Sequence, residues 1–137
     1  MWTQLFRNAL AAGVLLAMSG AHAQDATTEM RTFLLIGTPN STAWKLQIEN
    51  PGDRAAAVRD GIKAVGGELL SYYWGLGNGQ NYITVSLPDD PTFIQAFYLT
   101  RLGDGLLSDY QMIELMSSPD MEKALKQVKE IKKFDDL

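Results

Sequence analysis

The chain contains no cysteine, and its single histidine is His22. The first absence rules out disulfides, thiol nucleophiles and thiolate metal ligands, so stability has to come from burial and hydrogen bonding. The second reaches further, because His22 falls in a stretch that reads as an export signal. With that stretch removed no imidazole remains, which excludes a Ser-His-Asp triad, histidine-ligated zinc or haem, and the commonest general base near neutral pH. Catalysis would be left to carboxylates, tyrosine, lysine or a carboxylate-held hard cation. Long apolar runs are missing too. The run at residues 9–18 is only about ten residues, against roughly twenty for a membrane-spanning helix. Positive charge is the minority sign, with 12 Lys and Arg against 16 Asp and Glu. Nucleic acid is therefore not an expected partner, since phosphate recognition needs clustered cations.

The N-terminus carries Arg7 and no acid before its apolar run, and Ser19-Gly20-Ala21-His22-Ala23 follows. Small side chains at Ala21 and Ala23 fit a signal-peptidase pocket, so residues 1–23 are expected to be a cleaved secretory signal that leaves Gln24 first. No cysteine stands at the junction, which closes the lipoprotein route. About 114 residues then remain, with a net charge of about −5, a size that supports one domain around one core. The expected destination is the periplasm or the outside of the cell, with no membrane insertion after cleavage.

Residues 24–29 are a polar leader, and the domain is expected over residues 30–137. Residues 30–37 contain the apolar run Phe33-Leu34-Leu35-Ile36, the pattern of a central strand buried on both faces. Thr38-Pro39-Asn40-Ser41 ends it with turn chemistry. Residues 42–50 are ambiguous, because Trp44, Leu46 and Ile48 alternate at strand period while Trp44 and Ile48 also sit one helical turn apart. They are expected to be irregular or a short helical turn. Asp53 then caps a helix with Val58, Ile62 and Val65 on one face, and Gly66-Gly67 stops it. Leu69-Leu70-Ser71-Tyr72-Tyr73-Trp74 is an aromatic-rich strand. Gly77-Asn78-Gly79-Gln80 turns it into the alternating strand at residues 81–87, making a hairpin. Asp90 and Pro91 open a second helix with Phe93, Ile94, Phe97, Tyr98 and Leu102 on its apolar face, ended by Gly103 and Gly105. A fourth strand spans residues 106–116. Ser118-Pro119-Asp120 starts a last helix with Met121, Ala124, Leu125, Val128 and Ile131 on one side and a lysine-rich, solvated side opposite.

This order predicts an α+β, ferredoxin-like βαββαβ fold, a four-stranded antiparallel sheet with its main helices on one face and an added C-terminal helix. Tyr82, Thr84 and Ser86 fall on one side of the third strand and Ile83, Val85 and Leu87 on the other. The semi-polar side needs a cover, and the expected one is a second copy, giving a homodimer paired through the sheet.

Further residues carry a family likeness. Arg54-Ala55-Ala56-Ala57-Val58-Arg59, Gly66-Gly67-Glu68, Tyr73-Trp74-Gly75-Leu76-Gly77 and Pro88-Asp89-Asp90 occur in an order and spacing that resembles the GYD-domain family of small bacterial and archaeal proteins, over nearly all of residues 30–131. The resemblance implies a dimeric ferredoxin-like protein and no particular activity. The family's namesake Gly-Tyr-Asp would fall near Gly77, where this chain has Gly77-Asn78-Gly79-Gln80-Asn81 and neither the tyrosine nor the acid.

The strongest chemical feature is Tyr72-Tyr73-Trp74 beside a polar turn, because such rings pair apolar area with a hydrogen-bonding tip. Packing accounts for them as well, since alternation sends Tyr73 to one face and Tyr72 and Trp74 to the other. Candidate ligand-binding residues are Tyr72, Trp74, Gln80, Asn81, Tyr82 and Asp109, with Tyr110 as a further polar member of the last strand. Asp89-Asp90 is read as helix capping rather than a cation site, so no metal and no cofactor is expected. The leading reading is a non-catalytic exported module that dimerises and binds a small apolar or aromatic ligand. The alternative is a cofactor-independent oxygenase- or isomerase-like enzyme in which Tyr82 or Asp109 moves protons, an idea that rests on fold analogy.

Overall fold

A computed structural model describes residues 27–135, so the expected signal at residues 1–23 and the start of the leader lie outside the described residues. Strands β1 (Met30–Pro39), β2 (Glu68–Trp74), β3 (Asn81–Pro88) and β4 (Leu107–Leu115) form one sheet in the order β2-β3-β1-β4. Every neighbouring pair is antiparallel. Helices α1 (Ser41–Glu49), α2 (Arg54–Ala64), α3 (Pro91–Gly103) and α4 (Ser118–Asp135) complete the elements among the described residues. With β1 central, β2 and β3 hairpinned, and α2 and α3 packed against β2 and β4, this is the ferredoxin-like plan with one extra helix after β1 and another at the C-terminus.

The helices start where capping chemistry stands. The Asp53 carboxylate accepts from Ala55 N–H at 2.9 Å, and that of Asp90 accepts from Phe93 N–H at 3.0 Å, with Pro91 in the first turn. Helix α2 ends in a Schellman arrangement: Gly66 N–H donates to Lys63 C=O at 3.0 Å and Gly67 N–H to Ile62 C=O at 2.9 Å. Gly66 takes the left-handed φ of +79° that this cap requires. Gly67 is required for another reason, because a Cβ there would stand 2.7 Å from the Ser86 carbonyl oxygen and 2.9 Å from Ile62 Cγ2.

Period-2 alternation divides the sheet. Phe33, Leu35, Ile83, Val85, Leu87 and Tyr110 face the helices and, with Ile62 of α2, form the buried core. Val85 and Leu87 are wholly buried, each worth about 1.5–3 kcal/mol of apolar transfer. Val58, Phe93, Ile94, Phe97 and Tyr98 of the helices pack on this core, whereas Leu102 is half exposed beyond it. At one end Arg31 forks onto Glu114, with Nε to Oε1 at 2.8 Å and Nη2 to Oε2 at 2.7 Å, joining β1 to β4.

Three findings differ from expectation. Residues 41–49 form a full helix, because the Asn40 side chain accepts from Ala43 N–H at 3.0 Å and caps it. Asn40 is itself fixed from afar, its Nδ2 donating to Gly105 C=O at 2.7 Å and its N–H to Leu106 C=O at 2.9 Å. Second, the run Phe33 to Ile36 is buried on the helix side only, and Leu34 and Ile36 are half exposed on the open side. Third, α4 has the expected stripe, but Met121, Leu125, Val128 and Ile131 are all exposed, and nothing among the described residues covers them.

Candidate functional site

Between the sheet and the three helices α1, α2 and α3 lies a half-open cavity of about 140 Å³. Its floor is Leu35, Ile83, Asn81 and Tyr110. Its roof takes Ala43 and Gln47 from α1, Val58 and Arg54 from α2, and Phe97 and Arg101 from α3. The site exists because α1 is held over the end of β1 by Asn40, which sets Ala43 and Trp44 against the sheet. Trp44 lies 5.1 Å from Trp74 between ring centroids, and Trp74 lies 5.7 Å from Tyr72. Tyr72 and Trp74 line the cavity, and Trp44 extends the row of rings outside it.

Tyr110 is the most unusual member. It is 8 % exposed, its ring stacks on Tyr98 at 5.7 Å and 23°, and its hydroxyl has no hydrogen-bond partner among the described residues. Buried hydroxyls are normally paired, because an unpaired one costs about 1–3 kcal/mol. Burial pushes its pKa up to about 12, against an opposing pull from the Arg101 charge. Tyr72 is likewise raised by burial, opposed by a hydrogen bond with Asn81 and by the charges of Arg54 and Arg101. Both phenols therefore remain protonated near neutral pH. Arg101 lies over the Phe97 ring at 5.4 Å, a cation–π contact that holds the guanidinium at the cavity.

The six sequence candidates divide between the two faces of the sheet. Tyr72, Trp74 and Asn81 line the cavity. Asn81 uses its Oδ1 to accept from Gly37 N–H at 2.9 Å. Gln80, Tyr82 and Asp109 gather at one end of the opposite, open face. There Asn78 Nδ2 donates to Tyr82 Oη at 2.7 Å, Tyr82 O–H donates to Gln80 Oε1 at 3.0 Å, and Gln80 Nε2 donates to Thr38 Oγ1 at 3.0 Å. Asp109 stands opposite Thr38 in the β1–β4 register and is exposed. Tyr82 and Asp109, the residues that a proton-moving enzyme would use, are thus separated from the cavity by the sheet.

Arg101, Gln47 and the binding position of Arg54 escape a reading of the sequence. For Arg101 a signal exists, since it follows Phe97 by four residues and Tyr98 by three, a charge set within an apolar helical stripe. Of the acids at the second helix start, Asp90 caps α3 and Asp89 pairs with Arg31 at 3.4 Å. Among the described residues no group of three or more His, Cys, Asp or Glu side chains could hold a metal ion, and no helix is long and apolar enough to cross a membrane. The lysines of α4 pair along their own helix, Lys126 with Glu122 at 2.6 Å and Lys133 with Glu130 at 2.6 Å. Compared with known proteins, the chain matches no family model, and no curated protein is significantly similar to it.

Proposed function

We propose that this chain is an exported, non-catalytic module of the GYD-domain kind that pairs with a second copy and holds a small apolar or aromatic molecule between its helices and its sheet. The observation that carries the ligand reading is the cavity itself, walled by aromatic and aliphatic side chains. A bound apolar molecule fills space that the chain leaves open. Support for a non-catalytic role comes from the sheet, which separates Tyr82 and Asp109 from the cavity.

Pairing is supported by the open face of the sheet. Leu34, Ile36, Ile113 and Leu115 form an apolar band across β1 and β4, with Ile113 41 % and Leu115 40 % exposed. Two such sheets stack about 10 Å apart with their side chains interleaved. A second copy presents the same band about a two-fold axis, so each face finds an equal apolar counterpart. The uncovered stripe of α4 is a further surface for that copy to bury.

Native mass spectrometry of the protein recovered intact from its own cells tests both parts together. The expected spectrum is a dimer of signal-free chains carrying a small adduct that leaves on denaturation. A bare monomer at micromolar concentration contradicts the proposal.

A further inference from the structure

The charges around the cavity name the class of its ligand. Arg54 and Arg101 both line it with one acid, Asp104, whose carboxylate accepts from Leu106 N–H at 2.9 Å and keeps its charge, so positive charge is in excess there. Neither arginine makes an ion pair among the described residues, although the chain as a whole is acidic. Two guanidiniums without ion pairs among the described residues, both in the lining of an apolar hollow, favour an anion, and their planar forks suit a carboxylate. The volume sets the body of that anion. A cavity of about 140 Å³ is close to the roughly 150 Å³ apolar cavity known to take benzene, so one ring or its aliphatic equivalent fits.

We infer that the cavity takes a small monocarboxylate with an apolar body of about one ring, its charge met by Arg54 and Arg101 at the cavity's edge. This rests on the cavity being a ligand site. Arg54 is exposed and Arg101 half-buried, so the charged end lies toward solvent, while Val58, Tyr72 and Phe97 enclose the body. A cationic ligand would meet two like charges, and a neutral one would leave both arginines without a counterion.

Benzoate and its neutral isostere benzamide distinguish the levels of this inference, with Trp74 in the cavity wall as the fluorescent reporter. Benzoate is expected to bind at least about tenfold more tightly than benzamide at low salt, a preference that shrinks as salt is raised. In the double variant Arg54→Gln, Arg101→Gln the ratio of the two affinities is expected to fall to about one. Arg101→Lys, which keeps the charge, restores part of the preference. Should the double variant melt early, Arg54→Gln alone still has to lower the ratio, because Arg54 is on the surface and its loss leaves packing intact. Equal binding of both ligands by the unaltered chain overturns the carboxylate inference and leaves the ligand site standing. Failure of both to bind removes the ligand site as well, and a preference that survives the double variant removes the arginines' role.

Discussion

Tyr110→Phe tests whether the buried Tyr110 hydroxyl is unsatisfied in the folded chain. The substitution retains the ring, its stack on Tyr98 and its place in the core, and deletes only the hydroxyl that lacks a partner among the described residues. An unsatisfied buried hydroxyl costs about 1–3 kcal/mol, so its removal is expected to stabilise the ligand-free chain by about 1 kcal/mol or more. For a domain of this size that corresponds to a rise in Tm of about 4 °C for each kcal/mol. The assay is urea denaturation with the midpoint raised and the m-value unchanged, beside a thermal melt. Alkaline pH gives a second arm. The folded chain keeps the Tyr110 proton to about pH 12, whereas the unfolded chain releases it near the ordinary tyrosine value of 10. The unfolded state then binds fewer protons, so stability is intact below pH 10 and falls as pH rises from there through 12, by about 2–3 kcal/mol at the upper end. The Tyr110→Phe variant lacks that contribution, and its remaining slope comes from Tyr72 and smaller sources. A variant less stable by about 1 kcal/mol or more at neutral pH would refute this reasoning, since the hydroxyl would then be satisfied in the free chain.

Other substitutions probe the rest of the structure. Gly67→Ala sets a methyl against the Ser86 carbonyl and Ile62, and is expected to lose about 1–3 kcal/mol in chemical denaturation. Leu87→Ala empties a wholly buried position and is expected to cost about 2–5 kcal/mol by the same measurement. Asn40→Ala removes the α1 cap and its tie to Gly105, lowering stability by about 1 kcal/mol and weakening ligand binding, because α1 carries part of the roof. On the open face, Ile113→Lys is expected to turn a dimer into a monomer in sedimentation equilibrium while leaving the circular dichroism spectrum unchanged, since the side chain is already part exposed.

What was legible in the sequence follows from the range of the interactions involved. Strands β2 and β3 and helices α2, α3 and α4 declare themselves through period and caps, all set by residues a few positions apart. Helix α1 does not, because Trp44, Leu46 and Ile48 fit strand and helix alike. Its cap is held by carbonyls of Gly105 and Leu106, far along the chain. The apolar run in β1 marks a central strand, as the sheet order has it. Its second apolar face, Leu34 and Ile36, reads as buried from composition, whereas the helices of a single chain cover one side of the sheet only. For the site, alternation already divides the candidates. Tyr73 pairs with Tyr82, and Tyr72 with Ile83, so Tyr82 shares a face with Tyr73 and not with Tyr72. Tyr110 stands out in its strand and Arg101 in its helical stripe, but their meeting at one cavity depends on the packing of α3 over β4.

Occupancy of the space between helices and sheet is the central claim, and nuclear Overhauser contacts between benzoate ring protons and the protein report it most directly. Contacts are predicted to the rings of Tyr72, Phe97 and Tyr110 and to the methyls of Val58, all of which line the cavity. Contacts confined to Leu34 and Ile113 on the open face, or none at saturating benzoate, would contradict it.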